Sequence, residues 1–167
     1  INIRLAERLA RELDPRKTLL WTVTWYDDES YGRKPDLPTP MAGFRGMNEA
    51  AHRLGFVNFS YISSYAAITK ESKAFAACEP WLFHDEKTGQ PMFYGGDRVP
   101  HFMASGLAPA LKRAHARTIS EMVGGLGVDV VSLEQTSATW NAEGSFKDGK
   151  SGIDGIEEVH RAVLQET

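Results

Sequence analysis

Apolar residues recur every three or four positions in four stretches of the chain, and runs rich in β-branched and aromatic residues fall between them. In 1–13, Ile3, Ala6, Leu9, Ala10 and Leu13 share one helical stripe, and Pro15 closes the segment. The run "TLLWTVTWY", 18–26, predicts a strand. A loop, "DDESYGRKPDLPTPMAG", follows, and its three prolines exclude a regular element. Phe44, Met47, Ala51 and Leu54 then predict a helix that Gly55 ends. In "FVNFSYISSY", 56–65, Val57, Phe59 and Tyr61 alternate against Asn58, Ser60 and Ile62, which predicts a second strand.

A long excursion spans about 66–106, with a hairpin in "WLFHDEKTGQPMFYGG" turning at Lys-Thr-Gly. The longest helix is expected over 107–126, with Leu111, His115, Ile119, Met122, Val123 and Leu126 in one stripe and Gly124–Gly125 weakening its last turn. "VDVVSLEQ", 128–135, predicts the third strand, and a last helix runs over 153–166. The order is α-β-α-β, excursion, α-β-α. Strands alternating with helices imply an α/β fold of parallel βαβ units, with all strand C-termini on one face. That face is where chemistry is expected in doubly wound sheets and in (β/α)8 barrels alike.

A length of 167 residues suits one domain, 1–167. Hydrophobic residues at 42% supply a sizeable core, and a net charge of −3 with mixed signs argues against a nucleic-acid surface. The single cysteine, Cys78, excludes an internal disulfide and a zinc constellation, and leaves the redox compartment open. No stretch approaches the roughly 18 apolar residues of a membrane span. No signal peptide is visible in the charged first 14 residues. The chain opens and stops inside helical patterns, so a piece of a longer protein is expected, and the localisation, cytoplasmic or secreted, is undetermined.

The residues at the strand ends are carboxylates, hydroxyls and aromatics. The first strand ends at Trp25, Tyr26, Asp27 and Asp28, the second at Tyr61, and the third at Glu134 and Gln135 with Trp140 beyond. The excursion adds Trp81, His84, Asp85, Tyr94 and His101. Carboxylates and amides bond sugar hydroxyls in pairs, and flat rings stack on the apolar faces of pyranoses, so the mixture suits a carbohydrate. Each residue also has a structural use: Glu134 as a cap or ion-pair partner, the 27–29 acids as a solvated loop, the tryptophans as rim packing. No glycine-rich phosphate loop joins a strand to its helix, Ser63 and Ser64 lack a nucleophile elbow, and the histidines lack a third metal ligand in register. Neither a metal nor another cofactor is expected. His52 and His115 sit on helices and are expected to be structural.

Several segments resemble a known group. "FRGMNEAAHRLGFVNFSYIS" resembles the helix–strand step of glycosidase-like TIM barrels, in which "His-x-x-Gly" leads to a strand ending "Tyr-Ile". "EPWLFHDEKTGQPMFYG" is similar to the segment that follows it there, two aromatic runs about a turn. "LGVDVVSLEQTSATW" resembles the strand often written "GVDGIYLDQ", and "WYDDESYGRKPDLPTP" the acidic, proline-rich loop of an earlier strand. The match runs in order from about 18 to 163. It implies a partial (β/α)8 TIM barrel of the bacterial glycoside-hydrolase kind, with Glu134 at the nucleophile position. The sequence departs from the pattern there, with Glu for Asp and Val130-Val131 for Gly-Ile.

Glycoside hydrolysis requires two carboxyl groups, about 5 Å apart for retention and roughly 6.5–9.5 Å for inversion. Glu134 is the first candidate and Asp28 the second. Trp25, Tyr26, Asp27, Tyr61, Trp81, His84, Gln135 and Trp140 are the expected sugar contacts. The resemblance places the usual general acid on a later strand, outside this chain. The expected partners are a carbohydrate and the remainder of the barrel or another copy of the chain. Two other readings fit: a non-catalytic carbohydrate-binding or structural barrel fragment, and a stand-alone α/β protein that binds a small polar metabolite.

Overall fold

The computed structural model describes residues 3–23, 25–62, 67–85, 87–94, 99–133 and 152–166. The main elements are α1 (Ile3–Glu12), β1 (Leu19–Thr22), α2 (Asp28–Tyr31), α3 (Phe44–Leu54) and β2 (Val57–Ile62). The excursion holds β3 (Ala67–Ile68), α4 (Phe75–Cys78), β4 (Phe93–Tyr94) and β5 (His101–Met103). After it come α5 (Pro109–Ser120), a π-helical turn at Glu121–Gly125, β6 (Val130–Leu133) and α6 (Gly152–Glu166).

β1, β2 and β6 form a parallel sheet in that order, with Trp21 opposite Phe59 and Phe59 opposite Val130. The chain is thus an α/β protein with parallel strands. The helix between β1 and β2 and the helix between β2 and β6 cover the same face. Phe44 of α3, Ile62 of β2, and Ile119, Met122 and Leu126 after it close one core with Trp25 and Val128, and Val131 and Leu133 of β6 pack against it. The opposite face carries Leu19, Trp21, Val57 and Val130, all exposed, with half-buried Phe59 and Tyr61 between them. Parallel sheets are ordinarily covered on both faces, so this apolar face lacks a cover among the described residues.

Helix α3 follows the sequence pattern closely because both its boundary and its stripe are written into the residues. Gly55 takes φ +91 and its N–H reaches the carbonyls of Ala51 and His52, a left-handed cap that costs a side-chain-bearing residue about 1–2 kcal/mol. The strands are shorter than their patterns. The first ends at Thr22 and not at Tyr26, the second covers 57–62, and the third begins at Val130 after Gly127 turns the chain with φ +70. Tyr26 instead makes an isolated antiparallel bridge to Pro40 of the following loop.

At the strand N-termini, polar side chains fix the register. Asp129 Oδ2 accepts from the Asn58 N–H at 2.7 Å and pairs with His52 Nε2 at 2.8 Å, while the Asp129 N–H donates to the Asn58 carbonyl. Buried Asn48 donates to the Leu126 carbonyl at 2.8 Å, and Asn58 Nδ2 donates to the Asn48 carbonyl. His52 therefore has the structural duty expected of it. His115 is buried within α5, again a structural position.

The excursion is a second small structure. β3, β5 and β4 form an antiparallel sheet in that order over a core of Ile68, Cys78, Leu82, Ala104, Ala108 and Leu111. The expected hairpin is present: Asp85 and Met92 donate to the carbonyls of Gln90 and Phe83, and Gly89 takes φ +66 at the turn. Helix α5 joins the two cores, with Leu111 in one and Ile119 in the other. Helix α6 lies along it, tied by Lys112 to Glu158 at 3.2 Å. No helix among the described residues is long and apolar enough to cross a membrane.

Candidate functional site at the strand ends

The three parallel strands deliver their C-termini to one rim, as their order requires. Beyond β1, the chain bends at Val23 and sends Trp25 to the helix side of the sheet. Trp25 is 1% exposed and packs against Phe44 and the edge of Tyr26. Its Nε1–H donates to the Tyr61 carbonyl at 2.9 Å. The indole thus ties the end of β1 to the end of β2, and a sugar does not reach it. The cavity behind it, lined in part by Tyr26, Lys34, His115 and Thr118, is only about 30 Å³.

Asp27 caps α2. Its carboxylate accepts from the Ser30 N–H at 2.8 Å. The Ser30 side chain, and then this N–H, hold its carboxyl below the usual aspartate range. Such a group stays ionised and serves poorly as a proton donor. Asp28 opens α2 as its first residue. Behind α2, the loop is stapled to the excursion: Asp36 accepts from Ser72 Oγ at 2.7 Å and from the Lys73 N–H, and the Lys34 carbonyl accepts from Thr69. Lys34 itself is buried.

Tyr61 lies on the open face of the sheet, its ring edge-on to Trp21 at 6.5 Å, and Phe59 tilts against Trp21 at 5.7 Å. These three rings form an aromatic patch running from the sheet centre toward the rim. Trp21 is its outermost member, 61% exposed. The sequence reading missed Trp21 because it assumed a continuous strand to Tyr26, in which Trp21 and Trp25 would share a face. The strand's end at Thr22 puts them on opposite sides.

Glu134, Gln135 and Trp140 lie outside the described residues. The last described residue before them is Leu133, paired with Ile62 at the end of β6.

The excursion residues are spread through its own small structure. Trp81 is half-buried against the second core, and its carbonyl accepts from the Ser105 N–H. His84 is exposed, with Nδ1 at 2.9 Å from the Leu82 carbonyl. Asp85 is a turn residue. Bonds from the Thr88 N–H, then the Thr88 hydroxyl, hold its carboxyl low. His101 is buried in β5. Cys78 is buried too, which pushes its thiol up to about 11 and leaves it inert as a nucleophile near neutral pH. Among the described residues no group of three or more His, Cys, Asp or Glu side chains is placed to hold a metal ion.

No protein-family model matches the sequence, and no curated protein matches it either. Solved structures do match, and they include glycoside hydrolases. An α-galactosidase from Thermus thermophilus in complex with stachyose superposes with a TM-score of 0.65 and 14% identity, over 98% of this chain and 33% of its own. Amy13B of Eubacterium rectale gives 0.63 and 13%, over 99% and 38%. An α-amylase from Lactobacillus plantarum gives 0.60 and 18%, over 99% and 39%. The chain therefore spans between a third and two fifths of the length of these proteins, and at such identities the likeness is one of fold.

Proposed function

We propose that this chain forms part of a (β/α)8 barrel and acts on carbohydrate, hydrolysing glycosidic bonds with a strand-end carboxylate. One observation carries the reading. Three parallel strands lie side by side in sequence order, and both crossover helices cover the same face. A doubly wound sheet reverses its strand order and puts helices on both faces, whereas a barrel winds in one direction and keeps one face inward. The apolar face bearing Trp21, Phe59 and Tyr61 is then an inward face. The fold likeness to glycoside hydrolases supports the substrate class. The Thermus galactosidase was captured with stachyose and with p-nitrophenyl α-D-galactopyranoside, both carbohydrates.

Glu134 is the proposed nucleophile. Val131 and Leu133 pack on the helix-side core, and Val130 and Ser132 have the opposite parity. Glu134 follows directly on Leu133, the last residue of β6. A nucleophile of a barrel belongs there, at a strand C-terminus. Asp27 is a weak second carboxyl group because it caps α2, which leaves Asp28, or a residue on a strand outside these three, as the proposed general acid. The aromatic patch supplies stacking surface, with Tyr61 nearest the rim.

The commitment of Asp27 to its cap also favours a second reading, a non-catalytic carbohydrate-binding segment. Glu134→Gln in the full-length protein separates the two. Turnover of nitrophenyl glycosides falling at least a hundredfold with sugar binding retained supports catalysis. Unchanged turnover removes Glu134 from the chemistry.

A further inference from the structure

We infer that a cleft on the outer side of the loop after β1 binds a small phosphate-bearing molecule. The cleft has a volume of about 520 Å³ and lies between that loop, the 73–74 segment and helix α5. Its walls carry three cations from three separate segments: Arg33, Lys73 and Arg117. The chain as a whole has a net charge of −3, so the sign inside the cleft opposes that of the molecule. With three cations against one carboxylate, Asp36, the wall keeps an excess of positive charge, and such a cleft concentrates anions.

One carboxylate, Asp36, lies in the same wall, and it is already engaged. Its oxygens accept from Ser72 Oγ at 2.7 Å and from the Lys73 N–H at 3.2 Å. Arg33 reaches Glu29 at 3.4 Å, an exposed contact of the kind that a bound dianion readily replaces. Among the described residues, no ion pair engages Lys73 Nζ or the Arg117 guanidinium. The Asp36–Ser72 and Thr69–Lys34 bonds fix the loop against the excursion, so Arg33 and Lys73 stand on a braced backbone. Thr39 adds a hydroxyl to the wall, and its N–H donates to Ser30 Oγ at 2.9 Å, which holds that part of the loop in place.

Two guanidinium groups and an ammonium are the groups that recognise a phosphate, the former by paired N–H bonds and the latter as a point charge. Small-molecule pockets run from about 300 to 1,000 Å³. The cleft thus has room for the polar body of a phosphate monoester beyond its phosphate. It lies against α5, on the helix side of the sheet and away from the face bearing Trp21 and Tyr61. The inference is therefore independent of the barrel reading, and its test does not depend on glycoside turnover.

The experiment is an ¹H–¹⁵N NMR titration of the protein with glucose 6-phosphate, inorganic phosphate, sulfate and glucose, at constant ionic strength. The expected result is saturable movement of the Lys73, Ala74 and Arg117 amides with the ester, weaker saturation with phosphate, and none with glucose. Arg117→Gln and Lys73→Gln, both at exposed positions, should each weaken the ester by about tenfold, the effect of losing one charge-assisted bond. Arg117→Lys should retain part of the affinity. Circular dichroism of each variant establishes that the fold is intact. Saturation by sulfate as tight as by the ester, movement confined to other surfaces, or unchanged affinity in both folded glutamine variants would overturn the inference.

Discussion

Trp25 decides between two views of the strand-end rim, and replacing it tests the structure directly. If it is a sugar platform, Trp25→Phe weakens a ligand and leaves the fold alone. The structure gives the opposite expectation. The indole is 1% exposed, packs on Phe44 and Tyr26, and donates to the Tyr61 carbonyl at 2.9 Å. Truncating a buried Trp to Ala costs about 3–5 kcal/mol. Phenylalanine keeps one ring and so spares a large part of that, but it has no N–H. Losing a typical hydrogen bond costs about 1 kcal/mol, and the unanswered carbonyl adds to it where water cannot reach. With the space left by the five-membered ring, the sum is about 2–3 kcal/mol. For a chain of this size each kcal/mol moves the midpoint by roughly 2–4 °C, so a fall of about 5–10 °C is expected. Thermal and urea unfolding followed by far-UV circular dichroism read this without relying on tryptophan fluorescence. A midpoint within about 1 °C of wild type (no more than the roughly 0.5 kcal/mol of an ordinary surface change) would refute the burial argument.

Two other expectations concern the same sheet. Asp27→Asn keeps the cap but removes its titration. Because Ser30 lowers the folded-state pKa of Asp27, the stabilisation is complete above the ordinary aspartate value and is lost as pH falls through the lowered one. The variant's stability should therefore be flatter than wild type below about pH 4, and parallel acid-unfolding curves would refute this. Trp21→Glu places a charge on the uncovered apolar face, so concentration-dependent association of the 167-residue chain should diminish in sedimentation velocity without loss of helix content. An equally associated variant would locate the contact elsewhere.

How far the fold was legible follows from where each pattern had a single cause. Helix α3 was readable because Gly55 must adopt a conformation that other residues resist, and because one stripe faces one core. The alternation of β2 was readable but its direction was not: Asn58, Ser60 and Ile62 are the buried set, while Val57, Phe59 and Tyr61 line the other face. The run 18–26 was misread in length because β-branched and aromatic residues report burial as well as ladder pairing. Only Leu19 to Thr22 pair with β2, whereas Trp25 is apolar in order to fill the core beneath α3. The excursion's strands have two or three residues each, too few for any alternation to be counted.

The candidate site was harder to read for a related reason. A residue at a strand tip lies one step beyond the element whose period would announce its direction, and one step reverses the face. Trp21 and Trp25 are four apart and would share a face in an unbroken strand. The break after Thr22 separates them, so the ring with chemical access is Trp21 and the ring that braces the rim is Trp25. Asp27 shows the same effect with charge. Its run of acids looks like a free cluster, yet a serine three residues later converts it into a helix cap, a pattern the sequence displays but composition conceals. Parity counted from residues that pair is the safer guide. By that count Val130 and Ser132 face away from the helices.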